Sequence, residues 1–141
     1  MKIFTALLVI VLVGFAMGVV SFETDRKLVE DVVLVREAEQ KFLQLEFSAP
    51  ARLAGVYPER SGDILQVKLR VIAFGRFAEN LSLLEQFVGV EEAREVYMMD
   101  MHYEGDVPGG PFLVMKFNRP VQWEISEGDG LLGMNIVIKE I

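Results

Sequence analysis

The chain has no cysteine, one histidine (His102) and one tryptophan (Trp123). Without cysteine there is no thiol catalysis, no thiolate metal site, no disulfide framework and no lipoprotein anchor. A lone imidazole excludes any site that needs two. Positive charge is also scarce: 14 Lys and Arg stand against 21 Asp and Glu in 141 residues, a net charge of -7. Nucleic-acid binding needs a clustered basic surface, and none is written here. The Gly109-Gly110 pair is followed by neither Lys-Ser/Thr nor a helical pattern, so it is not a phosphate-cradling loop. Ser48, Ser61, Ser82 and Ser126 all lack the Gly-x-Ser-x-Gly setting of a nucleophile elbow. What is abundant is apolar sequence, 52% of the chain, in a length that fits one ordinary domain or two very small lobes.

Residues 3–22 carry no charge, with Lys2 before them and Glu23 and Asp25 close behind. About 20 apolar residues suffice to cross a bilayer as a helix. The segment also has the form of a secretory signal, with a basic start, an apolar middle and small residues near its end. Ala16-x-Gly18 and Val19-x-Ser21 are tolerable cleavage sites. Cleaved signal and retained membrane anchor are both open, and either sends residues 23–141 across the inner membrane. That exported part holds 13 basic and 21 acidic side chains, a net charge of -8.

One segment of the exported part occurs twice. Phe42-Leu43-Gln44-Leu45-Glu46-Phe47-Ser48-Ala49-Pro50 matches Phe112-Leu113-Val114-Met115-Lys116-Phe117-Asn118-Arg119-Pro120, with Leu53 and Trp123 at the same offset beyond. A Gly-Asp follows each copy, at Gly62-Asp63 and Gly128-Asp129, and leads into another alternating run. The fixed order of strand, Pro, strand, Gly-Asp, strand predicts a duplication. Within each copy apolar and polar residues alternate with period 2, the mark of a half-buried strand. This places Leu43, Leu45 and Phe47 on one face, with Leu65, Val67, Leu69 and Val71 doing the same. Leu113, Met115 and Phe117 repeat the pattern, as do Met134, Ile136 and Ile138. Pro50 and Pro120 cannot donate to a ladder and mark strand ends or corners. Candidate strands over 31–36 and 95–103 precede the copies, giving about eight strands in all. Between the copies Phe77, Leu81, Leu84 and Val88 recur at helical spacing, with Gly89 as a C-terminal cap, and predict one bridging helix.

The runs Val29-Glu30-Asp31-Val32-Val33-Leu34-Val35-Arg36, Leu43 to Pro50 and Ile64-Leu65-Gln66-Val67 resemble the AMIN-like modules of bacterial envelopes. Tyr103-Glu104-Gly105-Asp106-Val107-Pro108-Gly109-Gly110-Pro111-Phe112 is similar to segments of tandem modules of that kind. The likeness covers residues 28–72 and 94–141. It implies a small β-sandwich with a non-catalytic role, binding the cell wall or an envelope assembly. The chain departs from the pattern at Pro58-Glu59-Arg60, where Ser61-Gly62-Asp63 is inserted before the next strand.

Four residues are candidate binding positions. Tyr103, Phe112 and Trp123 offer a sugar-stacking or partner surface, set against core packing as the commoner fate of aromatics on alternating strands. Pro108 lies in the loop 107–111, which a rigid β scaffold could present as a contact. The paired acids Glu104 and Asp106, and Glu127 and Asp129, sit beside glycine or proline and read as solvated turn residues. Glu127-Gly128-Asp129-Gly130 lacks the register of a calcium loop. His102 would have Asp100 and Glu104 on its own face in an extended segment.

The sequence thus predicts a mainly β protein of two related antiparallel meander halves forming a sandwich, with one bridging helix and an N-terminal apolar helix. Residues 1–22 are the signal or anchor, 23–76 the first half, 77–93 the helical linker and 94–141 the second half. The expected role is binding or assembly at the envelope, periplasmic or anchored facing the periplasm, through strand addition with a protein partner. Peptidoglycan binding and a small carboxylate-based hydrolase are the alternatives. No cofactor, metal or nucleic acid is expected, and the membrane is a partner only if residues 3–22 stay attached.

Overall fold

The computed structural model describes residues 27–72 and 76–141. The expected apolar helix over 3–22 lies outside the described residues. Among them the chain is mainly β, with eight strands: β1 (Val29–Glu37), β2 (Gln40–Phe47), β3 (Ala51–Tyr57), β4 (Ser61–Val71), β5 (Glu85–Val88), β6 (Met98–Glu104), β7 (Phe112–Glu127) and β8 (Gly133–Glu140). One helix, α1 (Arg76–Leu83), separates β4 from β5. The strands join one antiparallel sheet in the order β1-β2-β8-β7-β4-β3, with β6 also on β7 and β5 on β6.

Alternation decides which side of each strand is dry. Leu43, Leu45 and Phe47 are buried while Gln44 and Glu46 are exposed, and Leu65, Val67 and Leu69 follow the same rule on β4. Leu113, Met115 and Phe117 on β7 and Met134, Ile136 and Ile138 on β8 complete a single hydrophobic cluster. Every buried residue of the described chain is apolar or aromatic.

β7 runs through Pro120 without ending. Its residues 112–117 lie between β6 and β4, and its residues 121–127 pair with β8. Asn118, Arg119 and Pro120 have no ladder partner among the described residues; across this gap β7 exchanges β6 for β8 on one side and keeps β4 on the other, which pairs again at Val121 and Gln122. Pro120 lies inside one long strand and does not end it.

The strand pairs beside the two matched segments share one register over the matched residues. β1 pairs with β2 from Val35↔Phe42 to Asp31↔Glu46, skips Glu30, and resumes at Val29↔Phe47. β6 pairs with β7 from Glu104↔Phe112 to Asp100↔Lys116, skips Met99, and resumes at Met98↔Phe117. The bulges fall at the same place, and each is followed by the same bond: Ser48 N–H donates to Leu28 O and Asn118 N–H to Tyr97 O, both at 2.8 Å. The halves are not laid side by side as separate meanders, however. β2 takes β8 as its second neighbour, from Phe42↔Val137 to Glu46↔Gly133, and β7 takes β4, from Phe112↔Lys68 to Lys116↔Ile64. Each copy lends its last strand to the other.

The helix is shorter than its spacing predicts. Leu81 is buried, but after Leu83 the chain straightens into β5. Leu84 and Val88 are four apart, a spacing that a helix face and a strand face both satisfy, and the free side of β6 decides between them. Gly89 therefore follows a strand rather than capping the helix. Tyr103 O–H donates to Leu81 O at 2.7 Å, a carbonyl in the last turn of α1 with no partner inside the helix. Gly105 N–H donates to Leu84 O at 2.8 Å. A Cβ at Gly105 would lie 2.5–2.7 Å from main-chain atoms of Ser82 and Leu84, so this junction requires glycine.

Candidate functional site

The aromatic surface expected from Tyr103, Phe112 and Trp123 does not form. Tyr103 shares the inward phase of Met101 on β6 and is wholly enclosed; burial pushes its phenol up to about 12. Trp123 shares the inward phase of Val121, is 3% exposed, donates its indole N–H to Pro58 O at 3.0 Å and stacks on Phe117 at 5.9 Å. Phe112 is half-buried and precedes the inward Leu113, so it points to the opposite face of the sheet from Tyr103. Core packing, the alternative weighed for these aromatics, is the fate of Tyr103 and Trp123. Pro108 is exposed in a tight turn closed by Gly110 N–H donating to Val107 O at 3.0 Å.

His102 does lie between the two carboxylates that flank it in sequence. Its Nε2 is 2.6 Å from Glu104 Oε1 and its Nδ1 is 3.5 Å from Asp100 Oδ2. Among the described residues no group of three or more His, Asp or Glu is placed to hold a metal. Glu127 is engaged elsewhere, accepting from Leu53 N–H at 3.0 Å.

What the fold does assemble is a set of strand edges, and it treats them unequally. Among the described residues β1, β3 and β5 each pair on one side only. An edge presents main-chain donors and acceptors to any passing strand unless side chains cover them. On β1 the Gln86 side chain accepts from Leu28 N–H at 2.9 Å and Val29 N–H at 3.1 Å and donates to Val29 O at 2.8 Å. Asp31 accepts from Val32 N–H at 2.9 Å, and Glu92 from Leu34 N–H at 3.2 Å. On β3 Glu127 covers Leu53.

β5 has no such cover among the described residues. The Gly105 to Leu84 bond sets its phase: Leu84, Gln86 and Val88 direct their main-chain groups at β6. Those of Glu85 and Phe87 therefore face away from the sheet. Phe87 is 83% exposed, with its ring 5.9 Å from the His102 imidazole. Between β5 and β1 runs a cleft of about 320 Å³ lined by Val29, Asp31 and Val32 on one wall and Phe87, Val88 and Gly89 on the other. Sequence reasoning placed Phe87 inside a helix and missed it; Leu84-Glu85-Gln86-Phe87-Val88 mixes polar and apolar residues in both phases, so no period-2 signal marks the strand.

No known protein family, curated protein or solved structure matches the chain.

Proposed function

We propose that the chain is a non-catalytic binding module of the cell envelope, exported across the inner membrane and engaging a protein partner of an envelope assembly. Its two copies, duplicated and strand-exchanged, act as a sandwich-like scaffold. The observation that carries this reading is the edge of β5. There the main chain faces outward beside an aromatic ring, whereas side chains bond the edge of β1 at several residues and that of β3 at Leu53. Strand addition at a sheet edge draws affinity from main-chain bonds and specificity from neighbouring side chains. Residues 3–22 support export and, if uncleaved, a membrane anchor facing the periplasm. The AMIN-like runs support an envelope setting.

A photo-crosslinking amino acid at position 87, in native membranes, tests the reading. A discrete protein adduct at position 87, missing when the same group is placed at exposed Tyr57, is the expected result. Co-sedimentation of the purified chain with sacculi at low salt, with no protein adduct, would replace it with wall binding.

A further inference from the structure

We propose that the β5 edge accepts an extended basic segment of the partner, one that alternates Lys or Arg with apolar residues and lays an apolar side chain on Phe87. The inference rests on the protein-binding reading above and names the chemistry of its partner.

Main-chain geometry sets the form of the ligand. Glu85 and Phe87 both turn their N–H and C=O outward, two residues apart, which is the repeat an added strand matches. A helix or a globular surface cannot meet that spacing along its whole length. The cleft beside them has apolar Val29, Val32 and Val88 in its walls and is bridged to β1 by the Gln86 side chain at Leu28 and Val29.

Charge sets the sequence of the ligand. Glu30 and Asp31 rim the cleft on the β1 side and Glu85 stands on β5, all exposed, and among the described residues Lys27 is the one basic side chain lining it. An added strand with Lys or Arg at alternate positions would face these carboxylates. A second copy of this chain pairing edge to edge would bring Glu85 and its acidic neighbours against their own counterparts, and like charges across a strand pair are unfavourable. A foreign basic strand fits the edge; a self-pair does not.

Phe87 sets the anchor. Its ring lies beside His102, whose Nε2 is hydrogen-bonded to Glu104 at 2.6 Å, so one face of the platform rests on an anchored ring. Phenylalanine is among the residues enriched at protein interfaces.

The test uses the purified full chain and two short capped synthetic peptides, one alternating Lys with Val and one alternating Glu with Val. Fluorescence anisotropy reads binding, and amide hydrogen exchange reads its location. The Lys peptide is expected to bind and to slow exchange at Glu85 and Phe87 by about tenfold or more, with affinity falling as salt rises. Phe87→Pro, which removes an outward N–H and leaves the β6 ladder intact, should abolish binding. Phe87→Ala, which keeps the N–H but removes the ring, should weaken it by about tenfold. If Phe87→Pro shifts the unfolding midpoint, a Lys peptide N-methylated at alternate residues takes its place and should fail to bind.

The proposal is overturned if the Glu peptide binds as well as the Lys peptide, if Phe87→Pro or the N-methylated peptide binds unchanged, or if protection falls elsewhere. Protection of Glu85 and Phe87 that rises with protein concentration and no peptide would assign the edge to a second copy instead. A position-87 adduct in membranes without Lys-peptide binding would refute the basic-strand chemistry alone, whereas loss of both would remove the binding-module reading as well.

Discussion

Replacing Tyr103 by Phe removes one oxygen from the interior and leaves the packing in place. That oxygen donates to Leu81 O, a carbonyl that α1 itself leaves unpartnered. A buried hydrogen bond contributes about 1 kcal/mol net, and orphaning its acceptor adds to the loss, so the variant should be less stable by roughly 1–2 kcal/mol at pH 7. The phenol provides a second arm. Its folded value of about 12 lies above the ordinary 10, so its contribution is whole below pH 10 and drains away as pH climbs toward 12. At about 1.4 kcal/mol per unit, the parent should lose roughly 2–3 kcal/mol over that window through this group. Tyr103→Phe has no phenol to titrate there. The two urea curves, followed by Trp123 emission, should therefore converge near pH 11 and cross above it. A stability gap that stays constant from pH 7 to pH 11.5, or no gap at pH 7, would refute the account of Tyr103 as a buried cap on α1.

Gly105→Ala forces a Cβ onto main-chain atoms that cannot swing aside, and should cost about 1–3 kcal/mol while speeding amide exchange in β5 before the rest of the sheet. Phe47→Ala and Phe117→Ala empty equivalent positions of the two copies and should each cost about 3–5 kcal/mol in urea denaturation. Only the second should shift native Trp123 emission, because among the described residues Phe117 is the ring that stacks on the indole. Glu95 is hydrogen-bonded and ion-paired with Arg36, which holds its carboxyl below the ordinary value, but both side chains stand in water. A lowered carboxyl favours the fold above its unfolded value and loses that as pH falls; screening at this exposed site makes the effect small. Glu95→Gln should leave both the urea midpoint and its acid dependence unchanged.

Local order was legible from the residues, and long-range order was not. Period-2 alternation located β2, β4, β8 and the first arm of β7, whereas the common register beside Phe47 and Phe117 and its bulges at Glu30 and Met99 are visible only in the fold. A repeat says nothing about which neighbour each strand takes, so the exchange of β4 and β8 between the copies was invisible. β5 was lost because Leu84 and Val88 suit either period. Its edge went with it, since Phe87 reads as one more helical apolar residue until Glu85 and Phe87 are seen to turn outward. Tyr103 and Trp123 carried the opposite ambiguity: their inward phase was written in the alternation, and their chemistry alone made them candidates for a surface.

The interleaving of the copies also sets a schedule. β2 is made early and stays half-paired until β8, the last of the eight strands in chain order, slides between it and β7. Contacts that span most of the chain close slowly. Until β8 arrives, the flank of β2 that it will cover stays bare, and the sheet is completed only when its latest strand enters the middle. A machinery that handles this polypeptide as a loose thread has that interval in which to act, and truncation just before β8 should leave a chain that never sets.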